Sequence, residues 1–472
     1  MKNILSALVC LSLVAALFCG AAGAEENSPF TTRDLAQEAD LTDAEQITLE
    51  GSSVTIDHGG VFLLSGILQD GQILVDAGGT DKVQLVLDSV SIHKETGAAI
   101  EVRTADKVFI TLAPGSENML SANGILEEGA DGVIYSKADL TLNGSGALTV
   151  TAQQGSGIVC KDTLVFTGGS YAIQASGHGI TGKDALNICD SSFSITTGGG
   201  STAAQMKASD SFGGGFRGVS NSTQSDEDDI KAKGLKSDGT ITVLSGSFSL
   251  DCADDAVHAG GDVSISDGAW TIRSADDGIH ADGDVLIGGG SFELPYCYEG
   301  IEGKNVTIDS GSFSITSNDD GINATGEETG NSFGPGMDTG AVITVNGGEL
   351  TIVSDGDCID SNGTIVLNGG KLNLTCNGNG NTALDSESGI TNNGADVTTN
   401  DGSENGGSFG MGRGQMGGDR GQFGGQFPQD GQFPGKGQGR QEGDFRGGGS
   451  QPDGTSHATP PAADAASSQN VG

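Results

Sequence analysis

The sequence is short of aromatic rings, of positive charge and of long apolar runs. Aromatics make up 5% of its 472 residues, with a single Trp, and 22 Lys and Arg stand against 63 Asp and Glu for a net charge of −41. A surface this acidic repels the phosphates of nucleic acid and of anionic lipid, so neither is a partner, and cations are the natural company. Beyond residue 24 no segment approaches the roughly 20 apolar residues of a membrane span, so no membrane insertion is expected. Hydrophobic residues reach 35%, enough for a packed core, but 81 glycines weigh against a helical bundle, because each interior helical Gly costs roughly 1 kcal/mol relative to Ala. What remains is β structure with many turns.

The chain starts with Lys2, an apolar stretch over 4–18 and the small residues Ala22, Gly23 and Ala24, the pattern of a secretory signal peptide cleaved after Ala24. A lipid anchor on Cys19 would want a small residue before it, where Phe18 stands, so the reading is a secreted, extracellular protein, at most associated with a cell surface. Residues 25–45 read as a linker. From 401 to 472, Gly and Gln with isolated Phe cannot bury enough apolar surface to offset chain entropy, and this stretch reads as a disordered tail. Two further stretches, about 198–225 and 325–340, read as insertions within an ordered region over 46–400.

That ordered region repeats itself. Segments such as GITGKDALNICDSSFSI, AVHAGGDVSISDGAWTI and GIHADGDVLIGGGSFEL align on one recurring aliphatic residue, at Ile158, Ile180, Leu235, Val257, Ile279, Ile301, Ile322 and Ile359. The spacing is 22 or 21 residues except where the insertions intervene. Each unit carries short runs of period-two alternation separated by turns, which is strand chemistry. A leucine-rich repeat has a similar period, but its Leu and Asn pattern is absent. One such coil cannot bury its inner face alone, whereas stacked parallel coils bury a continuous core and pair every backbone edge with the next rung. The expected fold is all-β, a right-handed parallel β-helix (a solenoid), taken as a monomer.

Stacking turns sequence columns into spatial ones. Tyr171, Phe193, Phe248, Trp270, Phe292 and Phe313, then Leu350 and Leu372, hold one position per coil. The lone Trp is therefore expected in a core ladder rather than as a sugar platform. Asp255, Asp277, Glu299, Asp320 and Asp357 stand two residues before the recurring aliphatic, and Asp254, Asp276 and Asp319 one residue earlier. Rungs roughly 4.8 Å apart would pile these charges along one edge, where like carboxylates repel and drive one another towards protonation. A hard divalent cation with oxygen ligands removes the conflict, and for an exported protein calcium is the natural choice. The alternative is a solvated acidic turn face that binds nothing.

His258 and His280 follow the recurring aliphatic in neighbouring coils; without matching thiolates they do not make a structural zinc site, but they can line a groove and hydrogen-bond sugar hydroxyls. Tyr296 and Tyr298 lie outside the aromatic column beside Pro295, placed to stack on sugar rings. Lys161, Lys183 and Lys304 share a column, the position a basic sugar contact or a lyase base would take. The six cysteines after the signal segment share no adjacent-rung register and read as buried thiols. Gly177-His178-Gly179 resembles a pectin-hydrolase motif, but no Arg-Ile-Lys-like segment follows it.

The run from about 54 to 400, with KVQLVLDSVSI, KVFITL, DLTLNGSGALTV, DDGIHADGDV, YEGIEGKNVTI and NDDGINA, resembles the calcium-associated carbohydrate-binding β-helix family. That family is typified by cell-surface proteins of plant-fibre-degrading clostridia and has a pectate-lyase-like fold. The resemblance implies calcium and a polysaccharide partner, an acidic or cellulosic plant glycan such as pectin. Three functions follow in order: a non-catalytic polysaccharide-binding protein, a calcium-dependent polysaccharide lyase, and a structural surface protein.

Overall fold

Alternating side chains in short runs give period two rather than the period of an amphipathic helix, and in a computed structural model those runs form parallel strands stacked coil upon coil. The structure describes residues 28–124, 129–202, 232–326, 338–378 and 381–401. The signal segment, the tail from 402 and most of both expected insertions lie outside the described residues.

Each coil lays strands on three faces, and every face is a parallel ladder. On the first, thirteen short strands stack, and the recurring aliphatic pairs in register throughout: Ile158 with Ile180, then Leu235, Val257, Ile279, Ile301, Ile322 and Ile359. The pairings of Ile180 with Leu235 and of Ile322 with Ile359 bridge the two insertions, so both leave the stack without breaking its register. The second and third faces are continuous in the early coils, where the long strand Thr163–Ala175 pairs with Ala185–Cys189 through its first half and with Ser191–Thr197 through its second. Later coils separate them by a Gly turn.

The aromatic column occupies the inner side of the third face. Tyr171, Phe193, Phe248, Trp270, Phe292 and Phe313 pair in register, and their rings stack nearly parallel with centroids 3.6 to 5.8 Å apart. Trp270 is 2% exposed, so the ring that composition offers for sugar stacking is core. Glycine is required in the turn ahead of this column. At Gly290 φ is +112°, and a Cβ would sit 2.8 Å from the Gly268 carbonyl and 3.1 Å from the Phe292 ring. All six described cysteines are free and buried, as expected.

Residues 28–44 differ from the expected linker, because they form a strap over the outer side of the second face. Phe30 packs with Val165 and Cys189. The fully buried Asp34 accepts from Thr141 Oγ1 at 2.6 Å and pairs with Lys107 Nζ at 2.8 Å. Gln37 Nε2 donates to the Thr167 carbonyl at 2.7 Å, and the Arg33 guanidinium lies 4.3 Å over the Phe109 ring. Outward side chains that would otherwise meet water are covered.

Candidate functional site

Because the recurring aliphatic points inward on the first face, the next residue points outward. Register pairing therefore builds one outer row from Lys236, His258, His280, Glu302, Asn323, Asp360 and Asp385. Beside it, in the turn ahead of each strand, runs the acidic column. Four of its carboxylates have a structural duty, since one oxygen of each accepts the main-chain N–H of a later coil, whereas Glu299 accepts from Asn323 Nδ2 at 3.1 Å. Asp255 Oδ1 accepts from Asp277 at 3.1 Å, Asp277 Oδ1 from Glu299 at 3.2 Å, Asp320 Oδ1 from Asp357 at 2.7 Å, and Asp357 Oδ1 from Thr382. The same column contains His178, whose Nδ1 accepts from the Lys233 N–H at 3.1 Å.

The second oxygen finds protein cations in the middle coils. Lys233 Nζ lies 2.6 Å from Asp255 Oδ2 and 2.9 Å from Asp254 Oδ1. His258 Nδ1 lies 2.9 Å from the same Asp255 oxygen. Burial opposes the charge on Asp255, but His258 and Lys233 hold its pKa down at about 2. In the next coil His280 Nδ1 lies 2.9 Å from Asp277 Oδ2 and 2.8 Å from Glu302 Oε2, and its ring stacks on His258 at 4.9 Å. Burial opposes protonation of His280, yet the two carboxylates push its pKa up to about 11. The sets Asp255, His258, His280 and Asp277, His280, Glu302 each bring three ligand atoms within 4.8 Å, but their imidazole nitrogens already face carboxylates as donors.

Towards the last coils the cations run out. Burial and then the neighbouring Glu302 and Asp277 carboxylates raise Glu299 to about 9. Burial and surrounding acids likewise raise Asp320 and Asp360 to about 7, and Asp357 shifts in the same direction. Carboxylate oxygens of Asp357, Asp360 and Asp385 lie within 4.8 Å of one another, a donor set made entirely of oxygen. The exposed Asp276 joins Asp254 and Asp255 in a similar group, but one already held by Lys233. Asp319 is half-buried, and its carbonyl accepts from the Gly356 N–H at 3.1 Å.

The expected sugar contacts are dispersed. Pro295 cannot donate to the ladder, so the strand Ser291–Cys297 bulges there and Tyr296 is set opposite Arg273. The half-buried Tyr296 hydroxyl accepts from Asn318 Nδ2 at 2.9 Å, whereas Tyr298 is 44% exposed in the following turn. Lys304 lies in that same coil, its N–H on the Gly283 carbonyl, several coils from Lys161 and Lys183. The larger surface feature is elsewhere: an open groove of about 600 Å³ crosses the outer side of the third face. Ser192, Ser194, Ser247, Ser249, Thr271 and Ser291 furnish its short hydroxyl side chains. These residues alternate with the buried aromatics, so the segments SSFSI and GSFSL carry the signal in the sequence.

A stack of coils with hydroxyl-lined and charged outer rows defines a parallel β-helix built to present long, flat surfaces. A family described as carbohydrate-binding domain-containing protein matches residues 50–217, 215–278 and 274–416, so the chain belongs to that family. A carbohydrate-binding domain-containing protein of Acetivibrio thermocellus is 33% identical over 187 residues, 37% of this chain and 65% of the relative, less than two thirds of that relative's length. A solved structure titled as the polysaccharide lyase-like protein from C. thermocellum, a gadolinium derivative, is 25% identical at a TM-score of 0.43 and covers 52% of this chain and 96% of its own.

Proposed function

We propose that this protein binds an extended plant cell-wall polysaccharide without cleaving it, and that calcium held at the acidic end of the first face supports that binding. The observation that carries the metal assignment is the Asp357, Asp360 and Asp385 cluster, whose oxygens converge while their neighbours are further acids. Hard cations take oxygen ligands, commonly carboxylates, and the half-buried site leaves ligand positions open to water or to a uronate carboxylate. The groove on the third face supports the glycan assignment. It is open along its length, spans the coils from Thr149 to Glu293, and offers hydroxyls that pair with sugar hydroxyls. Family membership supports the carbohydrate class.

The test is retention on insoluble pectin and cellulose in calcium and in chelator, with product analysis of the same supernatants. Retention that falls in chelator, with no unsaturated sugar ends released, is the expected result. Ser249→Trp would fill the groove from its outer side and should abolish retention while melting stays unchanged. Retention of both glycans by that variant in both media would refute the groove, and unsaturated ends would replace the reading with a lyase.

A further inference from the structure

A second concavity lies on the first face, in the coils that precede the acidic end. It is a cavity of about 160 Å³ whose lining includes Lys161, Lys183, Lys236, His178, Thr181 and Asp131. In a chain with only 22 basic residues against 63 acidic ones, convergence of three lysines on one small cavity is unusual. Register explains it. Val159, Thr181 and Lys236 are successive partners on the outer row, and Lys161 and Lys183 follow their strands by equal steps. The counter-charges are partial: Lys236 meets Asp238, also in the lining, at 2.6 Å, whereas Lys161 stands 3.6 Å from Asp131 and Lys183 3.9 Å from Asp184.

Two buried polar atoms in this lining lack a partner. Thr181 is 8% exposed and its Oγ1 has no hydrogen bond, and the buried Asp131 Oδ1 has none either. An unpaired buried acceptor calls for a donor from outside the chain. His178 adds a donor of its own, because its Nδ1 accepts from Lys233, which leaves the ring proton of the neutral form on Nε2. Sulfate would answer the lysines but bring Asp131 only more acceptors, and hydrogen phosphate has at most two hydroxyls to share between Asp131 and Thr181. A neutral sugar would answer Asp131 and Thr181 but leave the lysines unneutralised. A sugar ring that carries a carboxylate supplies both, and the cavity lies well below the roughly 300 Å³ of drug-sized pockets, room for one such ring.

We propose that this cavity is a metal-independent subsite for one uronate residue, with the carboxylate among Lys161, Lys183 and Lys236 and the ring hydroxyls on Asp131 and Thr181. The subsite deepens the polysaccharide-binding reading and rests on it, yet it stands about six coils, roughly 29 Å, from Asp360 along the same row.

The experiment is calorimetric titration of the full chain with galacturonate and digalacturonate in chelator at low salt, with galactose and inorganic phosphate as comparison ligands. The wild type should bind both uronates more tightly than either comparison ligand. The triple variant Lys161→Gln, Lys183→Gln, Lys236→Gln should lose at least tenfold in affinity. Thr181→Val keeps every charge and should lose several-fold with melting unchanged. Uronate affinity equal to that for galactose, phosphate binding as tight as uronate, or indifference to both variants would each overturn the proposal. If calcium-dependent retention on polysaccharide persists while uronate fails to bind in chelator, the subsite falls and the general reading stands. If uronate binds in chelator while polysaccharide retention fails, the general reading falls instead.

Discussion

Asp360→Asn gives the sharpest test of the cation site, because its sign should depend on the medium. The oxygens of Asp360 lie within 4.8 Å of those of Asp357 and Asp385, and two unit charges at that separation repel by about 3.5 kcal/mol at an effective dielectric of 20. With two such neighbours, partial exposure and salt screening over about 8 Å, the net relief on removing one charge is about 2 kcal/mol. Unfolding entropy of about 2.1 cal/mol/K per residue over roughly 350 residues is about 0.7 kcal/mol/K, so Tm in chelator should rise by about 3 °C. In calcium the order should invert. A wild type at 100 times its Kd gains about 2.7 kcal/mol from the bound ion, close to 4 °C on the same scale, and the variant forfeits most of it. Differential scanning calorimetry of both proteins in calcium and in chelator reads all four numbers. A variant that melts lower by the same amount in both media would refute the argument, since Asp360 would then be a structural side chain and the neighbouring acids merely solvated.

Two other outcomes follow from the packing. Trp270→Phe should leave glycan retention unchanged and cost little stability, because Phe fills the same column in neighbouring coils, whereas Trp270→Ala should cost about 3 to 5 kcal/mol of melting stability; loss of retention in the Phe variant would return the indole to a sugar-binding role. Asp34→Ala should leave Lys107 facing a buried site and cost about 3 kcal/mol locally, read as lost hydrogen-exchange protection over 28–44 with the central coils unaffected. Burial opposes the charge on Asp34, but Lys107, Thr141 and Thr31 hold its pKa below the usual carboxylate value. The strap's stability is thus present above about pH 4 and lost as pH falls through the depressed value, and an Asp34→Ala variant whose strap protection fell with acid just as the wild type's does would contradict this.

The coil register was legible because a period of 21 or 22 residues survives two insertions, and each aliphatic and aromatic column predicted from it pairs strand to strand. The strap was not legible. Its anchors join residues far apart in the chain, as Asp34 to Lys107 and to Thr141, by side-chain contacts that leave no period in the sequence. The acidic column was visible as charge, but the stapling of one oxygen to the next main-chain N–H requires coordinates. Further signals lie in the spacing itself. Lys233 stands two residues before Leu235, so the acidic column opens with its own counter-ion, and Asp360 follows Ile359 just as His258 follows Val257. Asp385 carries the same signal, because it follows Leu384 as Asp360 follows Ile359.

A parallel β-helix fixes the spacing of outward residues at roughly 4.8 Å, so a row of like charges cannot relax by spreading apart. Counter-charge must come from the chain, from protons or from solvent, and the first face uses these in turn. Lys233 serves Asp255; a protonated His280 is shared by Asp277 and Glu302; in the last coils only acids remain around Asp360. Protonation could relieve that last crowd, since Asp320 and Asp360 are raised to about 7, but at any pH above that value it does so incompletely. A divalent cation relieves it where protons no longer do, at pH values that leave these carboxylates ionised. The hydroxyl groove lies on a different face and is held by the aromatic column beneath it, and the basic cavity lies on a separate run of coils. Charge changes at Asp360 should therefore alter metal response without deforming the groove, and Ser249→Trp should block glycan without altering the calcium-induced rise in Tm. Loss of the calcium-induced rise in Tm in the Ser249→Trp variant would mean that the metal and the groove form one site.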